Sequence, residues 1–133
     1  MLASSIWVAV GGAIGSLGRF WLGLLFAAWI DSRFPWATLA ANVSGCFVIG
    51  FFATLTGPDG RLLVAPTMRE FVMIGLCGGY TTFSAFSLQS LTLAQQGDWL
   101  RAGANVAASV VLCLVAVWLG HLAAAAVNQL KGG

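Results

Sequence analysis

Four long apolar segments, separated by short polar turns, limit most strongly what this chain can fold into. A helix needs roughly 20 apolar residues to cross a bilayer, and each segment reaches that length. Only 8% of the 133 residues are charged, whereas a soluble domain has about 25%. We therefore expect one all-α transmembrane domain covering residues 1–133, with four membrane-spanning helices at about residues 5–30, 36–56, 69–94 and 100–127.

Charge and cysteine content exclude several classes of protein. The net charge is only +2 and no basic run is present, so we expect no nucleic-acid partner. Cys46, Cys77 and Cys113 lie in apolar stretches without C-x-x-C spacing, which indicates reduced packing residues rather than a metal or disulfide set.

No Lys or Arg precedes the first apolar run, so we expect a first span and not a removable signal peptide.

The loop charges give little preference for one orientation in the membrane. With four spans, Arg61, Arg69 and Lys131 fall on one side, and Arg33 and Arg101 on the other. Positive charges normally mark the cytoplasmic side, and here the two sides are nearly balanced. Such a balance can arise by chance, and it is also typical of a chain that inserts in both orientations and forms an antiparallel homodimer.

In the first span, small residues and one arginine recur every four residues, at Gly11, Gly15, Arg19 and Gly23. Glycines at this spacing favour a close helix–helix interface. A charged side chain in hydrocarbon costs several kcal/mol, so Arg19 must reach protein partners, water or the membrane interface. Its role as a structural anchor or as an attractor of anions stays open at this point.

Two further stripes of polar residues and cysteines follow helical spacing, so that each lies on one helix face. They are Thr38, Asn42 and Cys46 on the second span, and Arg101, Asn105, Ser109 and Cys113 on the fourth. The Asn42 amide can bond a neighbouring helix or donate to an anion. The stripe on the fourth span can likewise line a hydrated track or pack against another helix.

The sequence GGYTTFSAF, residues 78–86, lies at the middle of the third span. Gly78 and Gly79 are poor helix formers, and the hydroxyls that follow them compete for backbone hydrogen bonds, so we predict a break in this helix. Broken backbone at membrane depth must be buried in protein or line a cavity, where its carbonyls can bind a cation. Phe83 and Phe86 share a face, and the electropositive edges of their rings could face an anion or simply pack in a core.

Three motifs together resemble the CrcB/Fluc family of fluoride channels: GGAIGSLGRF (11–20), NVSG (42–45) and GGYTTFSAF (78–86). The resemblance covers essentially the whole chain. It implies passive export of fluoride across a bacterial plasma membrane by an antiparallel, dual-topology homodimer with two pores. It also implies a structural Na⁺ on the dimer axis, held by the backbone carbonyls of Gly78 and Thr81.

The resemblance also assigns roles to side chains. Phe83 and Phe86 match the two phenylalanines that contact fluoride through their ring edges, and Arg19 matches an arginine near the pore vestibule. The expected polar lining of the anion pore is Asn42, Thr38, Ser109 and Ser84. The sequence departs from the family pattern at Gln89, where many relatives have glutamate, at Ala85, where a hydroxyl residue is common, and at Asn105, where an aromatic residue is frequent.

Three alternatives remain to be weighed. A proton-coupled small transporter, either a small multidrug exporter or a fluoride/proton antiporter, needs a carboxylate inside the membrane, and no acidic residue lies deep in any predicted span. An intramembrane enzyme would need a pair such as Ser44 and His121, which we place at different depths, so we expect no enzyme. A subunit that serves assembly alone would use the glycine stripe only for packing.

Overall fold

The computed structural model describes residues 1–30 and 32–130, which form helices and turns without any strand. Four helical stretches in this part of the chain are long and apolar enough to cross a membrane: Leu2–Trp29, Trp36–Leu55, Pro66–Gln95 and Trp99–Gln129. The prediction of an all-helical protein with four membrane spans is confirmed. Asp31, in the predicted first turn, and Lys131, counted above among the loop charges, lie outside the described residues.

The first, second and fourth spans are single α-helices, and the third is assembled from several pieces. The single helices are α1 (Leu2–Trp29), α2 (Trp36–Leu55) and α6 (Trp99–Gln129). The third span, Pro66–Gln95, consists of α3 (Pro66–Glu70), a π-helical segment (Phe71–Cys77), α4 (Gly78–Tyr80) and α5 (Phe83–Gln95). Thr81 and Thr82, between α4 and α5, have extended backbone.

Local chemistry explains where several helices begin. Pro66 occupies the first turn of α3, where its fixed φ suits a helix and its missing N–H is not needed. Gly97 has φ of 80°, a conformation that glycine adopts at no steric cost. It turns the chain into α6, where the Asp98 carboxylate accepts a hydrogen bond of 3.2 Å from the Arg101 N–H. Because the first N–H groups of a helix lack internal partners, this bond stabilises the start of α6.

Helix α1 packs against the third span through glycines on both sides. A Cβ atom added at Gly11 would lie 2.6 Å from the Phe71 carbonyl oxygen, and one at Gly79 would lie 2.5 Å from that of Gly12. At Gly15 it would collide with the Leu76 carbonyl. We call this contact the glycine interface, and it confirms that the stripe in the first span serves close packing. Gly23 is different, since no atom of residues 1–30 and 32–130 lies within 4 Å of its Cβ position.

Helices α2 and α6 run side by side with a constant sequence offset. The Thr54 hydroxyl bonds the His121 Nδ1 at 2.8 Å, and these two residues are 67 apart. Gly50 contacts the backbone of Val117 at the same offset, and the Arg61 N–H just beyond α2 bonds the Asn128 side chain at 2.9 Å, again 67 apart. The two helices are therefore parallel and in register, and we call this contact the α2–α6 interface.

The outer surface of the helices is apolar. Large side chains such as Leu100 (85% exposed), Trp29 (81%) and Leu114 (64%) face outward, and the buried core consists mainly of small residues such as Ala41 and Ala124. An aqueous solvent would disfavour this distribution, whereas lipid tails accept it. The fold is that of a helical membrane protein.

Candidate functional site

The extended residues Thr81 and Thr82 are held by Asn42 of α2. The Asn42 Nδ2 donates to the Thr82 carbonyl at 3.1 Å, and the Thr82 N–H donates to the Asn42 Oδ1 at 2.7 Å. One amide side chain therefore bonds both backbone groups of Thr82, and it supplies the acceptor that the Thr82 N–H lacks outside a helix. Asn42 is almost fully buried, at 9% exposure, so it bonds a neighbouring span and keeps one further Nδ2 hydrogen for another acceptor.

This arrangement leaves two carbonyls without their usual donors. In a continuous α-helix, the N–H groups of Thr82 and Ala85 would donate to the carbonyls of Gly78 and Thr81. The Thr82 N–H bonds Asn42 instead, and the Ala85 N–H bonds the Thr82 hydroxyl at 3.1 Å, which caps α5. The carbonyl oxygens of Gly78 and Thr81, at the middle of the third span, therefore do not receive their usual helical hydrogen bonds.

A cavity of about 450 Å³ lies beside this break. It is lined by residues from α2, the third span and α6, including Asn42, Gly78, Thr81, Phe83, Phe86 and Ser109. We call it the larger cavity. It brings together most of the residues predicted to form the anion pore and both residues predicted to hold a cation.

Phe83 and Phe86 have very different surroundings in the larger cavity. Phe83 is 77% exposed and Phe86 only 7%, and their ring centroids are 5.2 Å apart with the planes tilted by 50°. The ring edges carry partial positive charge, so they can attract an anion without a formal charge.

Ser109 belongs to a chain of hydrogen bonds between α5 and α6. Its hydroxyl donates to the Asn105 Oδ1 at 3.4 Å, and the Asn105 Nδ2 donates to the Ser90 hydroxyl at 2.9 Å. Asn105 is 1% exposed, so this departure from the family pattern serves helix packing. The bond from Ser109 is long and therefore weak, which leaves its hydroxyl able to turn towards the larger cavity.

Arg19 and Thr38 lie apart from these residues, in a second cavity of about 320 Å³ that Ala85 and Gln89 also line. We call it the smaller cavity. The Arg19 Nε donates to the Gly79 carbonyl at 3.4 Å, so Arg19 ties α1 to α4 and also contributes charge to the cavity. The Gln89 Oε1 is buried without a hydrogen-bond partner.

Of the remaining predicted residues, Ser84 lines neither cavity, and its hydroxyl lies 3.2 Å from that of Thr82.

Some features of the site were not predicted from the sequence. The thiols of Cys46, Cys77 and Cys113, interpreted as packing groups, all line the larger cavity. Helical spacing had placed Cys46 on one face with Asn42 and Cys113 on one face with Ser109, whereas no such signal marked Cys77. The Tyr80 hydroxyl lies 2.9 Å from that of Ser44 and joins α4 to α2.

The hydrogen bonds give no support for a catalytic pair of Ser44 and His121. The Ser44 hydroxyl donates to the Ala40 carbonyl at 2.7 Å and contacts Tyr80. The His121 ring bonds Thr54. Among residues 1–30 and 32–130, no three His, Cys, Asp or Glu side chains are grouped so that they could hold a metal ion.

Comparison with known proteins gives close relatives. The chain is 61% identical over 127 residues to the fluoride-specific ion channel FluC of Opitutus terrae, covering 96% of each chain. It is 56% identical over 127 residues to the protein of that name from Methylocella silvestris, covering 96% of this chain and 97% of the relative. For the FluC of Rhodospirillum rubrum the identity is 59% over 124 residues, or 93% and 96% of the two chains.

These relatives are bacterial, and the four apolar helices make this chain a multi-pass protein of the plasma membrane. Residues 6–121 match the family described as CrcB-like protein, Camphor Resistance (CrcB). That match extends from the first turns of α1 to His121 in α6, and so includes both cavities. The chain belongs to the CrcB family.

Proposed function

We propose that this protein is a fluoride-selective channel that exports fluoride passively across the plasma membrane and so relieves fluoride toxicity. The observation that carries the proposal is its identity of 61% over 96% of both chains with a relative named fluoride-specific ion channel. The function is therefore of the transport type rather than catalytic. Fluoride that enters as the neutral acid dissociates in the cytoplasm, and an inside-negative potential drives the anion out through a channel.

The chemistry of the larger cavity supports an anion path. The unused Nδ2 hydrogen of Asn42, the weakly held hydroxyl of Ser109 and the ring edges of Phe83 and Phe86 all offer partial positive charge. These groups replace part of the hydration shell that a fluoride ion loses on entry. In this proposal Thr38 and Ser84 also belong to the polar lining of the path, and Arg19 lies near its vestibule, where it raises the local concentration of anions.

The proposal includes a structural Na⁺ on the axis of a homodimer. The residues present suit it, because Gly78 and Thr81 both line the larger cavity and their carbonyls lack the helical donors Thr82 and Ala85. Neutral carbonyl oxygens are hard ligands suited to such an ion. The bound ion would neutralise these dipoles at membrane depth.

We propose further that two copies assemble antiparallel, with two pores per dimer. The exposure of Phe83, 77% in a single chain, supports this arrangement, because a partner subunit would complete the surroundings of a ring that belongs to the pore. The described loop cations support it too, since Arg61 and Arg69 are balanced across the membrane by Arg33 and Arg101.

A proton-coupled transporter is the alternative, and the lining of the cavities argues against it. Proton relays in membrane proteins are normally built from Asp, Glu or His. Neither cavity is lined by any of these among the described residues. Gln89 in the smaller cavity carries an uncharged amide in place of the glutamate found in many relatives.

The test is fluoride efflux from liposomes that contain the purified protein, followed with a fluoride electrode. We expect rapid efflux that requires a potassium ionophore to balance charge, and no comparable efflux of chloride. Phe83→Ile and Asn42→Asp should each abolish most of the flux. Phe47→Ile, which changes a ring that lines neither cavity, is the matched control and should conduct normally.

Three outcomes would contradict the proposal. The first is the absence of efflux from liposomes that contain folded protein, and the second is equal passage of chloride. The third is efflux that moves protons into the liposomes against their gradient, because a passive channel does not couple the two fluxes. That result would establish the antiporter.

A further inference from the structure

Three thiols converge on the larger cavity from three different helical segments. Cys46 comes from α2, Cys77 from the π-helical segment and Cys113 from α6, and all three are free. Met73 adds a thioether to the same lining. The sequence shows these residues only as isolated sulfur atoms in apolar stretches, so their convergence is a product of the fold.

The α2–α6 interface determines which two thiols face each other. The two helices are parallel with an offset of 67 residues, as the Thr54–His121 bond shows. Cys46 and Cys113 are separated by the same offset, so the register places them opposite each other, and both line the larger cavity. Each is partly exposed, whereas Cys77 is buried at 4% exposure. The pair is therefore both adjacent and accessible from the cavity.

We infer that Cys46 and Cys113 form a binding site for one soft d¹⁰ cation that prefers two thiolate ligands in a linear arrangement, Hg²⁺ being the probe of this class. Thiolates select soft metal ions, and the metal displaces the thiol protons on binding. Two thiols bind one Hg²⁺ to give a bis-thiolate complex and release two protons, with no change in oxidation state. The site is additional to the proposed fluoride path and does not depend on it.

The low dielectric of the site favours this stoichiometry. A divalent cation with two thiolates is neutral, so the complex avoids the large cost of an uncompensated charge away from water. A hard divalent cation would need several further oxygen ligands. Two facing thiols supply two soft ligands, so a two-coordinate ion is the class that fits.

The first test counts reactive thiols in the purified, detergent-solubilised protein in chloride-free buffer. After unfolding in SDS, a maleimide should label all three cysteines in the metal-free sample. With one equivalent of Hg²⁺, added to the folded protein and followed by washing with glutathione, we expect one labelled thiol per chain, Cys77. Two or three labelled thiols would overturn the inference, and this measurement needs no variant.

The second test uses single variants with a matched control. Cys77→Ala should retain the metal as wild type does, leaving no thiol to label. Cys46→Ala and Cys113→Ala should each need at least about 100-fold less glutathione for release of the metal, because the second ligand no longer acts at high effective concentration. Size-exclusion elution and helical circular dichroism check that each variant is folded. Equal retention in all three variants, or loss only in Cys77→Ala, would contradict the assignment.

Discussion

The two long helix contacts of this protein differ in what lies between the helices. In the glycine interface, α1 and the third span approach until backbone meets backbone, as at Gly11 and Phe71. The α2–α6 interface is equally close at Gly50 and Val117, yet two turns earlier it borders a cavity of about 450 Å³ lined by Asn42 and Ser109. Small residues allow two membrane helices to pack closely. Polar residues at the same helical spacing, here Asn42 and Ser109, lie where the helices separate and border the cavity.

The largest effect is expected at the glycine interface. Gly15→Ala places a methyl group against the Leu76 carbonyl, and overpacking of this kind costs about 1–3 kcal/mol or more. We expect a lower midpoint of denaturation in detergent, measured by circular dichroism. Gly23→Ala is the control, because its Cβ meets no atom within 4 Å and alanine favours the helix by up to about 1 kcal/mol. Equal midpoints for the two variants would show that the close approach does not matter.

A second prediction concerns the residue that holds the helix break. Asn42→Ala leaves the Thr82 N–H without its partner and removes one of the donors to the Thr82 carbonyl, and an unsatisfied buried group costs about 1–3 kcal/mol. We expect a loss of stability that hydrogen exchange would localise at Thr81 and Thr82. Thr38→Ala, one turn earlier on the same helix face, should leave exchange at the break unchanged. Equal exchange in Asn42→Ala and wild type would contradict the role given to this amide.

A smaller effect is expected from the cap of α5. Thr82→Ala removes the hydroxyl that accepts from the Ala85 N–H at 3.1 Å, and loss of such a cap costs about 1 kcal/mol. Thr82→Ser keeps the acceptor and should restore most of the stability. The unfolding free energies of the two variants measure this difference, and identical values would mean that the methyl group rather than the hydroxyl is important.

The smallest effect is a pH dependence outside the membrane. The hydrogen bond from the Arg101 side chain lowers the pKa of the Asp98 carboxyl below its ordinary value. A depressed pKa in the folded state contributes stability above the ordinary pKa of about 4, and this contribution is lost as the pH falls through the folded value. Asp98→Asn should remove that part of the pH dependence in acid denaturation, and high salt should weaken it in wild type.

The four membrane spans could be predicted because hydropathy and segment length act locally and lipid leaves the backbone few choices. The packing role of Gly11 and Gly15 followed from their spacing alone. The bond from Arg19 to the Gly79 carbonyl could not be predicted, since it joins residues that are 60 apart in the chain. The same holds for the division of the predicted pore residues between two cavities, because Thr38 and Asn42 share a helix face but meet different neighbours.

By itself, the sequence determined that this chain is a helical membrane protein, and its motifs carry the resemblance to the CrcB family. Only the tertiary structure decided that Asn42 accepts the hydrogen bond of the Thr82 N–H, which leaves the Gly78 carbonyl without its usual donor. It also decided that Cys46 faces Cys113. The physical reason is the distance along the chain over which each effect acts. Hydropathy and helix propensity depend on neighbouring residues. The register of α2 on α6 and on the third span depends on packing between segments that are far apart in the chain.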